Sequence, residues 1–460
     1  MQAISARNLL AGLMPQEQLS NQPITVVTTD SRQLTAGCVF VAFPGERFDG
    51  HDFALQAIAQ DAAYVVVNHP VQGVPEEKQI VCTDSYHAMM VMGANYRKLF
   101  APCMIGVTGS VGKTTTKEFC FAVLSAFGET LKTEGNQNNE LGVPRTLFRL
   151  QDSTEYAVVE MGMNHAGEIE RLSCCAQPSA AIITGVGVAH IEHLGSRENI
   201  LQAKLEICAG MPEGAPIALN YEDPLLRGAA LPAHVRPVWF SVGDTSADVC
   251  ACDIVSGDSS TSFLLADTQY GAFAVCIPAL GLHNVYDALA AYSAVTRLGL
   301  DAATAAAALS QFQQTGMRQK VVKHADVTVI EDCYNANPDS MAAALAMFAQ
   351  YPCKQRIALL ADMLELGMHS QVAHQALGVL AAESGLTHLI TYGEACETTA
   401  QAAKRAGLCV LHAQTHRAAA DALLEYAASG DAILVKGSRS MALEQALALF
   451  YAEYKGETEQ

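Results

Sequence analysis

Short apolar runs alternate with longer stretches of helical periodicity over most of the chain, and this rhythm predicts strands connected by helices. In the first part, it predicts strands at residues 26–32, 38–42 and 63–67 and a helix at 52–60. We expect these elements to form a small α/β domain over residues 1–82. Candidate ligand contacts lie at its strand ends and in its loops, although turn chemistry alone would also explain them: Ser31, Arg32 and Arg47.

The middle of the chain, residues 83–313, begins with the same rhythm and then changes. The pattern predicts strands at 103–107, 156–160 and 180–184 and helices at 115–127, 196–208, 285–298 and 302–312. Shorter runs at 238–242, 248–256, 260–265 and 273–277 are typical of antiparallel strands. We therefore expect a mostly parallel sheet with an added antiparallel section. Asn284 stands just before a helix, at a plausible capping position.

Residues 314–460 follow a polar break and alternate regularly between strands and helices. Strands are predicted at 327–331, 356–360, 388–391 and 432–435, with a shorter one at 408–411. Such units indicate a Rossmann-like, doubly wound α/β domain with a mostly parallel sheet. Ligands bind at the carboxyl ends of such strands, and polar residues follow those ends here. No G-x-G-x-x-G turn follows a strand, which argues against a dinucleotide site.

The strand at 103–107 leads into a glycine-rich turn that opens the next helix: Gly109, Ser110, Val111, Gly112, Lys113, Thr114 and Thr115. Glycines let backbone N–H groups approach an anion, and the start of a helix adds partial positive charge. Lys113 can reach the terminal phosphates of a nucleotide, and the Thr114 hydroxyl can bind Mg2+. The motif is the short form G-x-x-G-K-T, because Val107 stands where the common pattern has glycine. A plain glycine-rich turn is the alternative, and the flanking strand and helix argue against it.

Other segments carry candidates for the same site. The strand at 156–160 ends in Glu160, and a carboxylate beside a phosphate-binding loop is where a Mg2+ ligand is expected. The loop at 133–144 offers amide side chains, and His190 follows the strand at 180–184. Lys204 lies on the next predicted helix. Taken alone, a strand-end glutamate is often a turn residue, a histidine is more often structural, and a helical lysine is normally solvated.

Composition limits the class of protein. The chain has 460 residues, half of them hydrophobic, and a net charge of −19, which argues against nucleic acid as a partner. No apolar run is long enough for a membrane span, and the N-terminus lacks the pattern of a signal peptide. The 14 cysteines show no regular framework. In a chain without a signal, this indicates reduced thiols and a cytoplasmic location.

The chain resembles the Mur ligase family, and the resemblance spans all three predicted domains. The family-wide marks are the loop at 108–114, Asn138-Asn139, Glu160, His190, Lys204 and His283-Asn284. Further motifs at 160–169, 334–341, 362–367 and 435–440 point to one branch of the family. The branch that adds the third amino acid usually has a Ser-Ser-His run and an Asp-Asn-Pro-Arg motif, and neither is present here.

The resemblance implies an activity and its substrates. It implies an ATP-dependent ligase that joins D-alanyl-D-alanine (D-Ala-D-Ala) to UDP-N-acetylmuramoyl-tripeptide (UDP-MurNAc-tripeptide) through an acyl phosphate, in the last cytoplasmic step of peptidoglycan precursor synthesis. Two Mg2+ ions would assist. The first domain would bind the UDP group, the central domain ATP, and the C-terminal domain the dipeptide while closing over ATP. We expect a monomer.

The same resemblance implies roles for individual residues. Lys113, His190 and Lys204 would be catalytic, and the Mg2+ ligands would be Thr114, Glu160, His190 and a carbamylated Lys204. ATP would contact residues 109–115 together with His283, Asn284, Arg318 and Asp332. The other substrates would contact Ser31, Arg32, Arg47, Asn138, Asn139, Asn164, Asn335, Asn337, Ser340 and Lys436.

Several alternatives stay open at this point. A third-residue-adding Mur ligase or a folylpolyglutamate synthase would share the loop and the reaction type, although the synthase lacks a UDP-binding first domain. A P-loop protein that hydrolyses ATP slowly without ligation is an alternative from a different class. A C-terminal domain that serves only for docking is another. Lysine and diaminopimelate are both compatible with the third position of the tripeptide.

Overall fold

The computed structural model describes residues 1–45, 48–189 and 191–456. Its first part contains the strands β1 (Ile4–Ser5), β2 (Pro23–Ile24), β3 (Val27–Thr28), β4 (Val39–Val41), β5 (Tyr64–Val67) and β6 (Gln79–Val81), and the helices α1 (Ala6–Leu9), α2 (Ala54–Ala59) and α3 (Ser85–Arg97). Strands β3 to β6 form a parallel sheet in sequential order, and β1 pairs with β2 in antiparallel fashion. The strand predicted at 26–32 is shorter than expected, because Asp30 caps a helical turn at Ser31–Gln33.

A nine-stranded sheet dominates the middle of the chain. Its strands are β7 (Cys103–Thr108), β8 (Thr130–Lys132), β9 (Tyr156–Glu160), β10 (Ala180–Ile183), β11 (Ala215–Asn220), β12 (Val235–Val242), β13 (Val249–Ser256), β14 (Thr261–Asp267) and β15 (Gly271–Ile277). The helices are α4 (Lys113–Leu124), α5 (Gly142–Leu147), α6 (Glu168–Ala176), α7 (Ile191–Leu194), α8 (Arg197–Leu205), α9 (Pro224–Arg227), α10 (Leu282–Arg297) and α11 (Ala302–Ala308). The strand order is β15-β14-β13-β12-β11-β10-β7-β9-β8.

Strand β7 is buried between two parallel neighbours, β10 and β9. Its residues are apolar on both faces because helices cover both sides of the sheet. Helix α10 packs against α4, and the two helices can approach closely because α10 is rich in alanine. This arrangement brings the loop after β7 and the last residue of β9 to the same edge of the sheet.

Some details of the middle region differ from the prediction. Strand β12 is parallel to both β11 and β13, so only β13, β14 and β15 form the antiparallel section, and they continue the same sheet. The prediction of an antiparallel β12 was wrong because an apolar run does not specify the direction of its partner.

Two helix starts also differ. Helix α10 begins right after Gly281, so Asn284 lies in its first turn and is not the cap; its amide donates to the Leu280 carbonyl at 2.7 Å. The loop predicted over residues 133–144 ends early, because Pro144 belongs to the first turn of α5. Proline is accepted there, since the first N–H groups of a helix have no partner within the helix.

The last part of the chain is a second α/β unit. Its strands are β16 (Lys320–His324), β17 (Val327–Asp332), β18 (Arg356–Ala361), β19 (His388–Tyr392), β20 (Cys409–Ala413) and β21 (Ala432–Lys436), and its helices are α12 (Pro338–Gln350), α13 (Ser370–Glu383), α14 (Cys396–Arg405), α15 (His416–Tyr426) and α16 (Glu444–Glu453). The order is β16-β17-β21-β18-β19-β20, and every pair except β16–β17 is parallel. The antiparallel edge strand β16 was not predicted, whereas the Rossmann-like sheet is confirmed.

The predicted α/β fold class is therefore confirmed. The domain boundaries after residues 82 and 313 stay predictions. Within the described ranges, no helix combines the length and the apolar character needed to cross a bilayer.

Candidate active site

A cavity of about 510 Å3 lies between the central sheet and the C-terminal unit. It brings together many of the predicted site residues, from segments far apart in the chain: Ser110, Val111, Gly112, Lys113, Thr114, Thr115, Asn138, Asn139, Glu160, Asn164, His283, Asn284, Arg318, Asp332, Asn335, Asn337, Ser340 and Lys436. Gly109 stands at the start of the loop that forms one wall. The sequence therefore predicted where the polar residues converge, while their individual roles stay predictions.

The loop between β7 and α4 is tightly fitted. A side chain at Gly109 would overlap Thr184, and one at Gly112 would overlap the Asp287 carboxylate. Gly112 has a φ of 82°, in the left-handed region that glycine adopts without strain. Lys113 donates to the Gly109 carbonyl at 2.8 Å, and burial lowers the pKa of its ammonium. The lack of space at Gly109 and Gly112 therefore requires glycine at both positions of the loop.

The surroundings of the Ser110 hydroxyl indicate whether this loop could bind an anion. Ser110 lines the cavity, and its hydroxyl oxygen is buried and has no hydrogen-bond partner among the described residues. A buried hydroxyl without a partner is costly unless a ligand or water satisfies it. Together with the loop N–H groups and the Lys113 ammonium, it forms a donor set that fits a phosphate group.

Glu160, the last residue of β9, faces the start of α4. Its Oε2 accepts a hydrogen bond from the Thr114 hydroxyl at 2.9 Å, and its Oε1 accepts one from the Asn138 amide at 2.8 Å. The side chain is buried, and the Lys117 ammonium lies 3.8 Å from Oε2. A carboxylate and a threonine hydroxyl side by side at a phosphate loop are the oxygen ligands that Mg2+ prefers.

Lys204 lies on α8 and is only 1% exposed, so the alternative of a solvated helical lysine is wrong. Burial and the nearby positive charge of Lys113 lower its pKa well below the usual value. Among residues 1–45, 48–189 and 191–456, no carboxylate forms an ion pair with its ammonium. It does not line the cavity, but it is close enough to Lys113 for their charges to repel.

His283 and Asn284 meet the linker that leads to the C-terminal unit. His283 Nε2 lies 2.8 Å from the Gln319 amide oxygen, and the Asn284 amide donates to the same oxygen at 3.0 Å. Burial lowers the pKa of His283, which favours the neutral ring. This corner of the cavity is a set of neutral hydrogen-bonding groups.

Charged residues of the linker and the C-terminal unit form the opposite wall. The Arg318 guanidinium lies over the Tyr334 ring, 3.9 Å from its centre. Lys436 donates to Asp332 at 2.7 Å and to the Asn335 carbonyl at 3.1 Å. Because both Lys436 and Asp332 are buried, this pair fixes the two strand ends of β17 and β21 against each other.

Some of the predicted substrate contacts have structural partners. Asn337 and Ser340 cap α12 reciprocally: the Asn337 side chain accepts from the Ser340 backbone, and the Ser340 hydroxyl accepts from the Asn337 backbone. The Asn139 side chain accepts from the Gly142 backbone at 2.9 Å, at the start of α5. These side chains still line the cavity, with part of their hydrogen-bonding capacity already used.

Of the predicted contacts in the first unit, Ser31 and Arg32 do not line this cavity. Arg32 is 88% exposed and binds the Asp30 carboxylate through two nitrogens, at 2.8 and 2.9 Å. This hydrogen bonding lowers the pKa of Asp30 to about 2. Ser31 lies beside them in the same turn. Arg47 and His190 lie outside the described residues.

Several residues that line the cavity, or that contact its lining, were missed by the sequence analysis. Lys117 lies one helical turn after Lys113, and its position could have been found from that spacing. Asp287 accepts from the Thr116 hydroxyl at 2.8 Å, and burial raises its pKa to about 8. A charged residue within the apolar helix α10 was the available signal. Gln319 had no sequence signal, because its role depends on the path of the linker.

Three family models match successive parts of the chain. The model for the Mur ligase family catalytic domain matches residues 23–98, the Mur ligase middle domain matches 107–295, and the Mur ligase glutamate ligase domain matches 317–439. Together they cover most of the chain and include strands of the three larger sheets.

Similar proteins extend over nearly the whole length. The UDP-N-acetylmuramoyl-tripeptide–D-alanyl-D-alanine ligase of Bacillus subtilis is 35% identical over 442 residues, covering 95% of each chain. A crystal structure of MurF from Acinetobacter baumannii has a TM-score of 0.89 and 32% identity, covering 98% of this chain and 100% of that one. MurF from Thermotoga maritima in complex with ADP has a TM-score of 0.84 and 26% identity, covering 93% of this chain and 97% of that one. Because matches of this identity and coverage accompany the loop, the strand-end carboxylate and the shared cavity, the chain belongs to the Mur ligase family.

Proposed function

We propose that the chain is an ATP-dependent ligase that joins D-Ala-D-Ala to UDP-MurNAc-tripeptide, giving the UDP-MurNAc-pentapeptide, ADP and phosphate. One observation carries the proposal: the phosphate-binding loop and Glu160 share a cavity with the strand ends of the C-terminal unit. The similarity to the Bacillus subtilis ligase over 95% of the chain supports this choice of substrates. We further propose that the enzyme acts as a monomer in the cytoplasm.

The chemistry requires a shared cavity. A carboxylate is a poor electrophile, so the tripeptide carboxylate first attacks the γ-phosphate of ATP and becomes an acyl phosphate, with ADP as the leaving group. The amine of the dipeptide then attacks the acyl carbon, and phosphate leaves as the amide forms. The carboxylate and the triphosphate repel each other, so cations must lie where they meet.

The residues of the cavity divide this work. Loop residues 109–115 would hold the phosphates, with the Lys113 ammonium and the Ser110 hydroxyl as donors. Thr114 and Glu160 would hold Mg2+, which when bound neutralises phosphate charge. Asn138 keeps Glu160 turned toward Thr114 through its hydrogen bond to Oε1.

Lys204 would take part as a carbamate. Its burial and its repulsion from Lys113 favour the neutral amine, which is the form that reacts with carbon dioxide. The product is an anion, which would turn repulsion from Lys113 into attraction and supply an oxygen ligand for a second Mg2+. We propose His190 as a further ligand of that ion by family resemblance.

The remaining walls would bind the organic parts of the substrates. His283 and Asn284 offer neutral hydrogen-bonding groups for the adenine, and Arg318 and Asp332 would close over the nucleotide. Asn138, Asn139, Asn164, Asn335, Asn337, Ser340 and Lys436 would contact the peptide substrates. Ser31 and Arg32 would contact the UDP group, since the Arg32 side chain is 88% exposed in a loop of the first unit, and Arg47 would join them by family resemblance.

A comparison of acceptor substrates, two with an amine and one with a hydroxyl, tests the proposal. Purified protein is incubated with ATP, Mg2+ and UDP-MurNAc-tripeptide, alone or with D-Ala-D-Ala, D-Ala or D-lactate, and phosphate release and product mass are measured. We expect strong phosphate release and a pentapeptide product only with D-Ala-D-Ala. Phosphate release that ignores the acceptor would instead identify a non-ligating ATPase. In a parallel incubation, UDP-MurNAc-dipeptide replaces the tripeptide and lysine or diaminopimelate is the acceptor, and a product formed there would identify a third-residue-adding ligase.

A further inference from the structure

Carboxylates are the groups that could receive a positively charged substrate in the cavity. Within the part of the chain that the structure describes, those that line it are Glu160, Glu168, Asp287, Asp332 and Asp339. The amine acceptor of the proposed reaction enters as an ammonium ion, which cannot attack until it loses a proton. The partners of each carboxylate therefore indicate which one is available for that ammonium.

Two of them are engaged with side chains already described. Glu160 accepts hydrogen bonds on both oxygens, from Thr114 and Asn138. Asp332 is neutralised by the buried Lys436 ammonium at 2.7 Å. A second cation would have to displace these partners.

Two others are also occupied. Glu168 accepts from the Asn164 backbone at 2.7 Å on one oxygen and lies 3.1 Å from His165 Nδ1 on the other. Asp287 is buried beside the phosphate-binding loop and accepts from Thr116. Its burial disfavours the charged carboxylate. Neither of these two presents a free anionic oxygen to the cavity.

Asp339 is different. It is the second residue of α12, is exposed, and accepts a single hydrogen bond, on Oδ2, from the Val188 backbone at 3.2 Å. No cation among the described residues pairs with it. A side chain at Gly187 would overlap the Asp339 carboxylate and come within 3.3 Å of Ser110 Cβ. Gly187 therefore lies between the Asp339 carboxylate and Ser110, so this carboxylate is close to the phosphate-binding loop.

We propose that Asp339 binds the ammonium group of the amine acceptor and takes one of its protons. The inference rests on the proposed function and adds the acceptor-binding group to it. The neutral amine that results uses its lone pair to form the C–N bond with the acyl carbon. The C–O bond to phosphate then breaks, its electron pair leaves with the phosphate, and the second amine proton leaves with it.

A purely structural role for Asp339 makes different predictions. An acidic residue in the first turn stabilises a helix, and its hydrogen bond to Val188 joins the two units. Asp339→Asn keeps an oxygen that can accept from Val188 but removes the charge. Asp339→Glu keeps the charge on a longer side chain. Asp258→Asn, in the exposed turn after β13, removes the same charge far from the cavity and is the matched control.

The test compares a charged acceptor with a neutral one. Each variant is assayed for ligation of D-Ala-D-Ala and for hydroxamate formation with hydroxylamine, a largely uncharged nucleophile that captures the acyl phosphate without needing its proton removed. For Asp339→Asn we expect the KM for the dipeptide to rise by about ten- to a hundredfold, as for the loss of a hydrogen bond to a charged group. Hydroxamate formation and the KM for ATP should change little. Asp339→Glu should recover part of the loss, and Asp258→Asn should match the wild type.

Other outcomes overturn the inference. An unchanged KM and an unchanged kcat for the dipeptide in Asp339→Asn would show that the charge is used neither to bind the ammonium nor to take its proton. An equal loss of both reactions would show that Asp339 supports the site as a whole. If the wild-type protein forms no hydroxamate at all, it makes no acyl phosphate and the proposed function is wrong. This result is distinguishable from a failure of the Asp339 proposal, which concerns only the variants.

Discussion

Glu160 and Asp362 occupy equivalent places in two parallel sheets and have opposite surroundings. Glu160 ends β9, and Asp362 follows β18 directly; both are almost fully buried. Glu160 is bonded by side chains that line the cavity, Thr114 and Asn138. Asp362 accepts from the Cys396 backbone at 2.7 Å and from the Ala395 backbone at 3.3 Å. Both carboxylates lie at a strand end, so their position does not distinguish them. The partners do: side chains that line the cavity indicate a carboxylate that can bind a ligand, and backbone N–H groups indicate one that stabilises the fold.

The surroundings of Asp362 strengthen this contrast. Asp362, His374 and Cys396 lie close enough together to hold a metal ion. Both ring nitrogens of His374 are occupied, however: Nε2 lies 3.1 Å from the Met363 backbone nitrogen and Nδ1 lies 2.8 Å from the Ser370 carbonyl. This group is therefore a hydrogen-bonded core cluster that fixes the start of α14.

The largest effect is expected for Glu160→Gln. Losing the proposed Mg2+ ligand should lower the ligation rate on the order of a hundredfold or more, because metal ions supply several kcal/mol of charge stabilisation in such reactions. Phosphate release with all three substrates measures it. The melting temperature should change little, since Lys117 keeps Glu118 as a partner at 3.2 Å. If Glu160→Gln lowered the melting temperature as well as the ligation rate, Glu160 would have a structural role like that of Asp362.

A smaller effect is expected for Asp362→Ala, and it should appear in the free energy of unfolding and not in the ligation rate. Two buried backbone N–H groups lose their acceptor, which should cost about 1–3 kcal/mol of unfolding free energy. Urea unfolding measures this loss, and Asp362→Asn, which keeps one acceptor oxygen, should lose less. The folded variant should retain its ligation rate at saturating substrate. A large loss of rate with unchanged stability would contradict the structural role.

The smallest effect concerns Asp287, a third buried carboxylate. Burial raises its pKa in the folded state to about 8, above its value in the unfolded chain, so the folded state holds a proton that the unfolded state releases. Its contribution to stability is therefore fully present at low pH and is lost as pH rises toward 8. Between pH 7 and pH 8 this loss is about 1 kcal/mol. Asp287→Asn, neutral at every pH, should show a correspondingly flatter unfolding free energy over this interval, and an unchanged slope would contradict it.

The sequence was most informative where chemistry is local. The turn from Gly109 to Thr115 combines a strand end, glycines and a helix start within one segment, so its position and its conformation could both be predicted. Glu160 and the C-terminal strand ends were predicted from the rule that parallel strands end at the same edge. The structure brings these segments into one cavity.

What the sequence did not reveal depends on contacts between distant segments. The parallel direction of β12 is set by its neighbours and not by its own residues. Lys204 could be recognised as buried only from tertiary structure, because a helix with few apolar residues gives no sign of it. Gln319 reaches His283 only through the path of the linker. Asp339 falls within the motif at 334–341, but its position beside Gly187 and Val188 depends on contacts between distant segments.

The position of β21 has a consequence for the growing polypeptide. This strand is made last, yet it lies between β17 and β18 in the middle of its sheet. A nascent or prematurely terminated chain would leave both neighbours with unpaired edges, which invite aggregation. It would also lack Lys436, so Asp332 would stay without its cation. A chain that ends before β21 should therefore fail to complete the C-terminal wall of the cavity, where Asp332 and Lys436 lie.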